Sequence, residues 1–79
     1  MRNQFVISKK GHDKGCVYIV VKQENNFCFV ADGKYKTLEK LKKKNIIHLQ
    51  PMNRFVEFEG ELTNEYIKYS IKEYLRNKD

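Results

Sequence analysis

The chain has 79 residues, of which 41% are hydrophobic and 33% are charged, and its formal net charge is +6 at pH 7. This length predicts a single domain with a small core, and the hydrophobic fraction excludes global disorder. The longest uncharged apolar run, residues 16–21, is far too short to span a membrane. No membrane partner is therefore expected, and the lack of a signal-peptide apolar region after Met1 predicts a cytoplasmic protein.

The excess positive charge lies in the first two thirds of the chain. Residues 1–52 contain 11 Lys and Arg against 4 Asp and Glu, whereas residues 53–79 contain 5 against 6. This concentration of positive charge in residues 1–52 predicts a polyanionic partner. The alternative is that lysine is common throughout the source genome, but such a bias would not by itself concentrate the excess in one part of the chain.

A basic loop follows the first predicted strand, residues 4–8. The loop, residues 9–15, contains three lysines, a histidine, an aspartate and two glycines. Gly11 and Gly15 permit a positive φ or a close approach of the backbone. Loops that present charge and backbone N–H groups from a rigid scaffold commonly hold functional sites, so this loop is the leading candidate.

The next two strands are predicted to be buried on both faces. The predicted strands are residues 16–22, apolar at successive positions up to 21, and residues 27–31, apolar throughout. This pattern is typical of the middle of a small barrel or of a sheet covered by a helix. The polar residues 23–26 between them predict a turn, since asparagine tolerates the left-handed region.

The second half of the barrel is predicted from turn signals. The Asp32-Gly33 pair favours a type I′ hairpin, which leads into a fourth strand at 35–39. A lysine-dense connection at 40–45 precedes a fifth strand at 46–50, and Pro51 is expected to end that strand because proline cannot donate to a ladder.

Five short strands with tight turns predict a mainly β fold, a five-stranded SH3-like barrel, because closure removes exposed strand edges. Residues 1–53 form this barrel in the prediction. Residues 54–79 form a C-terminal extension of the same domain. Residues 52–62, at the junction of the barrel and the extension, leave a strand, a helical turn and an ordered loop open as alternatives.

An amphipathic helix is predicted over residues 63–77, with Thr63 as its N-cap. Its apolar stripe, expected to pack on the barrel, comprises Ile67, Ile71, Tyr74 and Leu75. A basic row at four-residue spacing comprises Lys68, Lys72 and Arg76. This row is interpreted as a solvated face.

The two cysteines and two histidines indicate neither a disulfide framework nor a metal site. Cys16 and Cys28 permit one disulfide, but the favoured interpretation is two reduced, small hydrophobic residues packed in strands. Together with His12 and His48 they contain no C-x-x-C or H-x₃-H spacing, so neither a metal nor a cofactor is expected. His48, between apolar neighbours, is interpreted as structural.

The basic loop and its flanking strands, residues 6–21, resemble a KOW motif, which is a strand, a basic loop of the form Gly-x-Asp-Lys-Gly, and a hydrophobic strand. The resemblance continues through residues 30–36 and 42–50. Over residues 4–53 the chain is similar to small bacterial KOW-domain RNA-binding proteins and to a KOW-containing large-subunit ribosomal protein of archaea and eukaryotes. His12 and Cys16 depart from the Arg or Lys that are common in the family, and Leu41 replaces a proline.

The resemblance implies an SH3-like barrel that binds RNA, notably ribosomal RNA, in a ribosomal or translational setting. Ribosomal proteins or proteins of the transcription machinery are further expected partners, since KOW domains of elongation factors also contact protein. The alternative function is therefore an SH3-like protein-interaction module. Its expected surface is an exposed apolar patch from Phe55, Val56 and Phe58, or from Tyr66, Tyr69 and Tyr74.

The expected RNA-binding residues come from three basic segments, whose lysines neutralise phosphates. From the loop these are Lys9, Lys10, Gly11, His12, Lys14 and Gly15, and from the later segments Lys34, Tyr35, Lys36, Lys42, Lys43 and Lys44. Tyr35 is a stacking candidate, whereas Asp13 is interpreted as a turn former that caps backbone N–H groups. Three arginines in the whole chain favour recognition of shape and backbone over base sequence.

No enzymatic activity is expected. The sequence contains no paired acid and base, and no nucleophile beside a base. The Gly11 to Gly15 spacing leads into a strand rather than a helix, which is the wrong context for a phosphate-binding P-loop.

Overall fold

The computed structural model describes residues 1–77. Its elements are β1 Gln4–Ser8, β2 Val17–Glu24, β3 Phe27–Ala31, β4 Lys42–Asn45, a 3₁₀ turn Ile46–His48, β5 Leu49–Phe55 and α1 Asn64–Asn77. Residues 78 and 79, the end of the predicted C-terminal extension, lie outside the described residues. Over residues 1–77, no helix has both the length and the apolar character needed to cross a membrane.

The five strands form one antiparallel sheet in the order β4-β3-β2-β1-β5. The two edge strands, β4 and β5, are joined by only the 3₁₀ turn. Four Cα–Cα steps span at most about 14 Å, whereas the edges of a flat five-stranded sheet would lie about 19 Å apart. The sheet therefore curves toward closure, and the predicted SH3-like, mainly β fold with a C-terminal helix is confirmed.

Strand β2 is buried on both faces, as predicted, and it separates two cores. The helix-side core comprises Phe5, Val17, Ile19, Ala31, Val56, Ile67 and Ile71. The barrel-side core comprises Val6, Tyr18, Val20, Cys28, Val30 and Leu49. Because successive strand residues point to opposite faces, alternate residues of β1 and β2 supply both cores.

The C-terminal helix begins with the predicted cap. Thr63 Oγ1 accepts a hydrogen bond from the Tyr66 N–H at 3.1 Å, which satisfies one unpaired donor of the first turn. Ile67 and Ile71 are buried against the sheet and Tyr74 packs beside them. Leu75, also assigned to the buried stripe, is 47% exposed, so the helix buries a narrower face than its periodicity predicted.

The predicted fourth and fifth strands are wrong in position. Residues 35–39 form turns rather than a strand, and β4 instead occupies Lys42–Asn45 within the predicted connection. Pro51 does not end the last strand but lies inside β5, opposite Val6. A proline is compatible with β5 because it is an edge strand with one hydrogen-bonded neighbour.

The Asp32-Gly33 pair does not form a two-residue hairpin. Asp32 Oδ1 instead accepts the backbone N–H groups of Lys34, Tyr35 and Lys36 at 2.8–2.9 Å. This fixes residues 32–36 as a compact turn, which we call the tyrosine turn. The carboxylate therefore satisfies three backbone donors of the turn.

The other polar turn is where it was predicted. Asn25 has a φ of +54° between β2 and β3, consistent with the tolerance of asparagine for the left-handed region. Cys28 is buried in β3, as expected of a small hydrophobic residue, but Cys16 is exposed just before β2. The interpretation of Cys16 as a packed strand residue is therefore wrong.

Candidate nucleic-acid interface

The basic loop between β1 and β2 has a defined backbone. Gly11 and Gly15 have φ values of +98° and +91°, conformations in which a Cβ would be strained. The Gly15 N–H donates to the Ser8 carbonyl at 2.8 Å, and the Ser8 N–H donates to the Cys16 carbonyl at 2.9 Å. These bonds close the loop at its base, so the loop extends from a fixed hairpin.

The cationic side chains of the loop face solvent. Lys9, Lys10, His12 and Lys14 are all exposed. The positive charges of the three lysines are therefore accessible to a polyanion.

Asp13 lies at the centre of a buried polar cluster rather than capping the loop backbone. Its Oδ1 accepts from Ser8 Oγ and Lys44 Nζ, each at 2.9 Å, and its Oδ2 accepts from Tyr18 Oη at 2.8 Å. Lys42 Nζ lies 3.1 Å from Oδ2. The capping prediction is wrong because all four partners are side chains, although the role of Asp13 is structural as expected.

Electrostatics hold Asp13 ionised. Burial alone would raise the pKa of its carboxyl. The hydrogen bonds from its four side-chain partners have the larger effect and hold the pKa well below its usual range. Burial and the adjacent Asp13 carboxylate raise the pKa of the Tyr18 hydroxyl. The hydroxyl therefore stays a hydrogen-bond donor at neutral pH.

The cluster removes Lys44 from the expected RNA-binding set. Lys44 is 9% exposed, and its ammonium donates to Ser8 Oγ, Asp13 Oδ1 and the Lys10 carbonyl. All three of its donors are therefore occupied, and it cannot reach a phosphate without breaking the cluster. The partly exposed Lys42 is likewise paired with Asp13.

The remaining lysine of β4 points to the other face of the sheet. Lys43 lies 4.3 Å from the centroid of the Phe27 ring and is exposed. Alternation along β4 thus separates Lys43 from Lys42 and Lys44. The predicted run 42–44 is consequently not one continuous basic surface.

The tyrosine turn places one aromatic ring in solvent. Tyr35 is 75% exposed, and Lys34 Nζ lies 5.0 Å from its ring centroid. Lys36 is half-buried at the end of the same turn. Tyr35, the stacking candidate, therefore holds its ring in solvent with the Lys34 ammonium beside it.

A groove of about 630 Å³ joins the basic loop, the tyrosine turn and the helix. We call it the basic groove. The loop contributes Gly15 to its lining, and Cys16 and Val17 follow where β2 begins. The turn contributes Asp32, Lys34 and Tyr35, and the helix contributes Ile71 and Leu75 with its basic row. Gly15 of the basic loop therefore lies on the same surface as Lys34 and Tyr35.

The basic row of the helix borders this groove. Lys68, Lys72 and Arg76 are exposed, as a solvated face requires, but they also line the groove opposite the tyrosine turn. Sequence reasoning did not assign them to the site. The sequence shows their i, i+4, i+8 spacing. The surface that the row faces, however, depends on how the helix docks on the sheet, which the spacing does not specify.

The tyrosine turn is fixed to the start of the helix. Asn64 Oδ1 accepts the Leu38 N–H at 2.8 Å, and Asn64 Nδ2 donates to Glu39 Oε1 at 2.8 Å. The hydrogen bond from Asn64 lowers the pKa of the Glu39 carboxyl. Gly33, with a φ of +79°, packs directly against the backbone of Asn64 and Lys68. The two walls of the groove are therefore held together by specific contacts.

A second surface has the opposite charge. Phe55, Phe58, Tyr66 and Tyr69 are each 37–57% exposed, and Glu57, Phe58, Glu59, Glu61 and Tyr66 line a shared cleft. We call this the acidic-aromatic patch. Val56 and Tyr74 were also predicted to belong to a protein-binding surface. Val56 is buried and Tyr74 is half-buried, so both belong mainly to the core.

Comparisons with known proteins do not assign the chain to a family. No protein-family model matches it, and a search of curated proteins finds no significant match. Within residues 1–77, no group of three or more His, Cys, Asp or Glu side chains is arranged to hold a metal ion.

Proposed function

We propose that this chain is a non-catalytic RNA-binding module that contacts the RNA backbone through the basic loop and the basic groove. The KOW-like sequence of the loop favours ribosomal RNA as the ligand and a cytoplasmic, ribosome-associated setting. The observation that supports the proposal most strongly is the basic groove, which Gly15 of the loop lines together with Lys34 and Tyr35 of the tyrosine turn and the basic row of the helix.

The charge distribution around this surface supports binding to a polyanion. Lys9, Lys10 and Lys14 are exposed on the loop, and Lys34 is exposed at the groove. Asp13 and Asp32 are the nearby acidic residues of these two segments, and both are engaged by internal donors. The negative charge of Asp13 is compensated by Lys42 and Lys44, and Asp32 forms no ion pair among the described residues. The exposed lysines of the two segments therefore remain available to phosphates.

Simultaneous replacement of Lys9, Lys10 and Lys14 by glutamate is expected to weaken RNA binding at least tenfold near 0.1 M salt. For the unmodified protein, engagement of four to six cations gives a slope of log K against log salt of roughly −3 to −4 on single strands. Loss of three of them makes that slope shallower by about 2. Fluorescence anisotropy with a labelled RNA, repeated over a salt series, measures both quantities.

A matched control has the same change in charge at other exposed sites. Arg2, Lys22 and Lys40 are exposed and lie outside the loop and the groove. Their triple replacement by glutamate should weaken binding far less than the loop variant. Equal losses in the two variants would show that net charge, rather than this surface, determines binding. Circular dichroism of each variant confirms that the fold is retained.

The acidic-aromatic patch favours a second candidate function, an SH3-like protein-interaction module. Exposed aromatic rings beside Glu57, Glu59 and Glu61 fit a segment rich in lysine and arginine, through ion pairs and cation–π contacts. A partner in the translation or transcription machinery is consistent with this chemistry. Binding of a Lys- and Arg-rich peptide that survives the loop substitutions, but is lost on Tyr69→Ala, would support this function.

A further inference from the structure

The floor of the basic groove is apolar although its borders are cationic. The buried side chains of Val17 and Ile71 lie at its base, and the half-exposed Leu75 and the exposed ring of Tyr35 also line it. A duplex presents phosphates and groove edges but keeps its base faces stacked inside. An apolar floor with an exposed ring instead suits the flat face of an unpaired base.

The cations are arranged as a row along one border. Lys68, Lys72 and Arg76 recur every four residues, which corresponds to about 6 Å of helix rise per step. Among residues 1–77, Lys68 and Lys72 have no acidic partner within ion-pair distance. Within this described part of the chain Arg76 pairs with Glu73, at 3.2 Å and with 69% of its side chain exposed, so solvent screens that pair. The row is therefore available to successive phosphates of one strand.

The aromatic border is preorganised. Asp32 fixes the tyrosine turn through three backbone hydrogen bonds, and Asn64 ties the following residues to the helix. A ring on a fixed turn loses little freedom when a base stacks on it, which favours affinity. Because the helix begins at the same contact, the backbone that carries the ring is held beside the helix that carries the cation row.

We infer that the basic groove binds single-stranded RNA, with one unpaired base stacked on Tyr35 and the adjoining phosphates along Lys68, Lys72 and Arg76. This inference rests on the proposed RNA-binding function. It specifies that the RNA is unpaired at this site and that the C-terminal helix, outside the KOW-like segment, contributes to binding.

The test compares an unstructured 12-nucleotide RNA with a blunt 12-base-pair duplex of the same sequence, by fluorescence anisotropy near 0.1 M salt. The unmodified protein should bind the single strand at least tenfold more tightly. Tyr35→Ala should lose about tenfold on the single strand, since stacking on an aromatic ring is worth about 1–3 kcal/mol per base. Tyr35→Phe should retain binding, and both variants should bind the duplex within about twofold of the unmodified protein.

Tyr69→Ala is the matched control for the ring, because Tyr69 is an exposed tyrosine outside the groove. Lys68→Glu with Lys72→Glu should lower single-strand affinity and make the salt slope shallower by about 1.4. The control, Lys22→Glu with Lys40→Glu, should leave that slope nearly unchanged. Comparison of these variants distinguishes binding of RNA by the groove from a general effect of the protein's net charge on RNA affinity.

The outcomes distinguish the inference from the proposed function. Equal affinity for single strand and duplex, with both lost in the Lys9, Lys10 and Lys14 variant, would leave RNA binding intact and overturn the inference. Equal effects of Tyr35→Ala and Tyr69→Ala would also overturn it. No binding to either RNA by the unmodified protein would overturn the proposed function and the inference together.

Discussion

Replacement of Asp13 by alanine is expected to lower the free energy of unfolding by about 3 kcal/mol, although Asp13 lies in an otherwise exposed loop. The substitution leaves the Lys44 ammonium, 9% exposed, with no opposing charge, and removal of one partner of a buried ion pair typically costs about 3–5 kcal/mol. It also removes the acceptor for Tyr18. Urea unfolding at 25 °C measures the loss, which corresponds to a fall in Tm of roughly 12 °C or more.

An exposed ion pair provides the control. Glu24 lies 3.7 Å from Lys22, and both side chains are more than half exposed. Glu24→Ala should therefore cost less than about 1 kcal/mol. Similar costs for Glu24→Ala and Asp13→Ala would contradict the assignment of Asp13 to a buried cluster.

A double variant distinguishes two causes of the lost stability: the missing ion pair between Asp13 and Lys44, and the Lys44 ammonium left buried without a partner. Lys44→Met, introduced into an Asp13→Asn background, removes the buried ammonium while keeping a long apolar side chain. The double variant should be at least about 1 kcal/mol more stable than Asp13→Asn alone, because replacing a buried pair by apolar groups is often neutral. A further loss of stability would indicate that Lys44 acts through other contacts.

The same cluster predicts a pH dependence of stability. The Asp13 pKa is depressed in the folded protein, so its contribution is fully present above the pKa of an unfolded aspartate, about 3.9. That contribution decreases as pH falls from there toward the lower, folded pKa. The stability difference between the unmodified protein and Asp13→Asn should therefore shrink between about pH 4 and pH 2.

Gly33→Ala is the second substitution with a large expected effect, and it acts on the contact between the tyrosine turn and the helix. A Cβ at Gly33 would overlap the Asn64 carbonyl oxygen and lie 2.7 Å from the Lys68 backbone nitrogen. The backbone of a helix cannot move aside to make room for the added Cβ, as the end of a flexible side chain could. Overpacking costs about 1–3 kcal/mol and the positive φ about 1–2 kcal/mol, so we expect a loss of about 3 kcal/mol.

Gly60→Ala controls for backbone strain alone. Gly60 has a φ of +76°, close to that of Gly33, but no atom lies within 4 Å of a Cβ placed there. Its substitution should cost only about 1–2 kcal/mol. Equal costs at the two glycines in urea unfolding would show that the helix does not dock on Gly33, and would remove one wall of the basic groove.

The sequence predicted those parts of the fold that depend on local pattern. Burial of β2 on both faces, the Thr63 cap and the docking of the helix through Ile67 and Ile71 all follow from apolar pattern and capping chemistry. The position of β4 did not follow from pattern. Lys42–Asn45 has no apolar alternation, and it forms a strand because β3 offers it a hydrogen-bonding edge.

The sequence identified the basic loop but not the cluster beneath it. Asp13 is the first acidic residue of the chain and lies among lysines. An aspartate in this position indicates that it compensates the charge of nearby lysines. Its partners Lys42 and Lys44, however, are about thirty residues away in sequence. The basic groove was missed for a similar reason, since the loop and helix meet only in the folded chain. Pairings across such separations depend on topology, which local periodicity does not specify.

The most direct test of RNA binding on the basic face is a titration of ¹⁵N-labelled protein with an unstructured single-stranded RNA, followed by amide chemical shifts. We expect the amides of residues 9–15, 33–36 and 68–76 to shift together along one saturation curve, while residues 57–61 remain unchanged. Shifts confined to the acidic-aromatic patch, with residues 9–15 and 33–36 unaffected, would contradict the proposed interface.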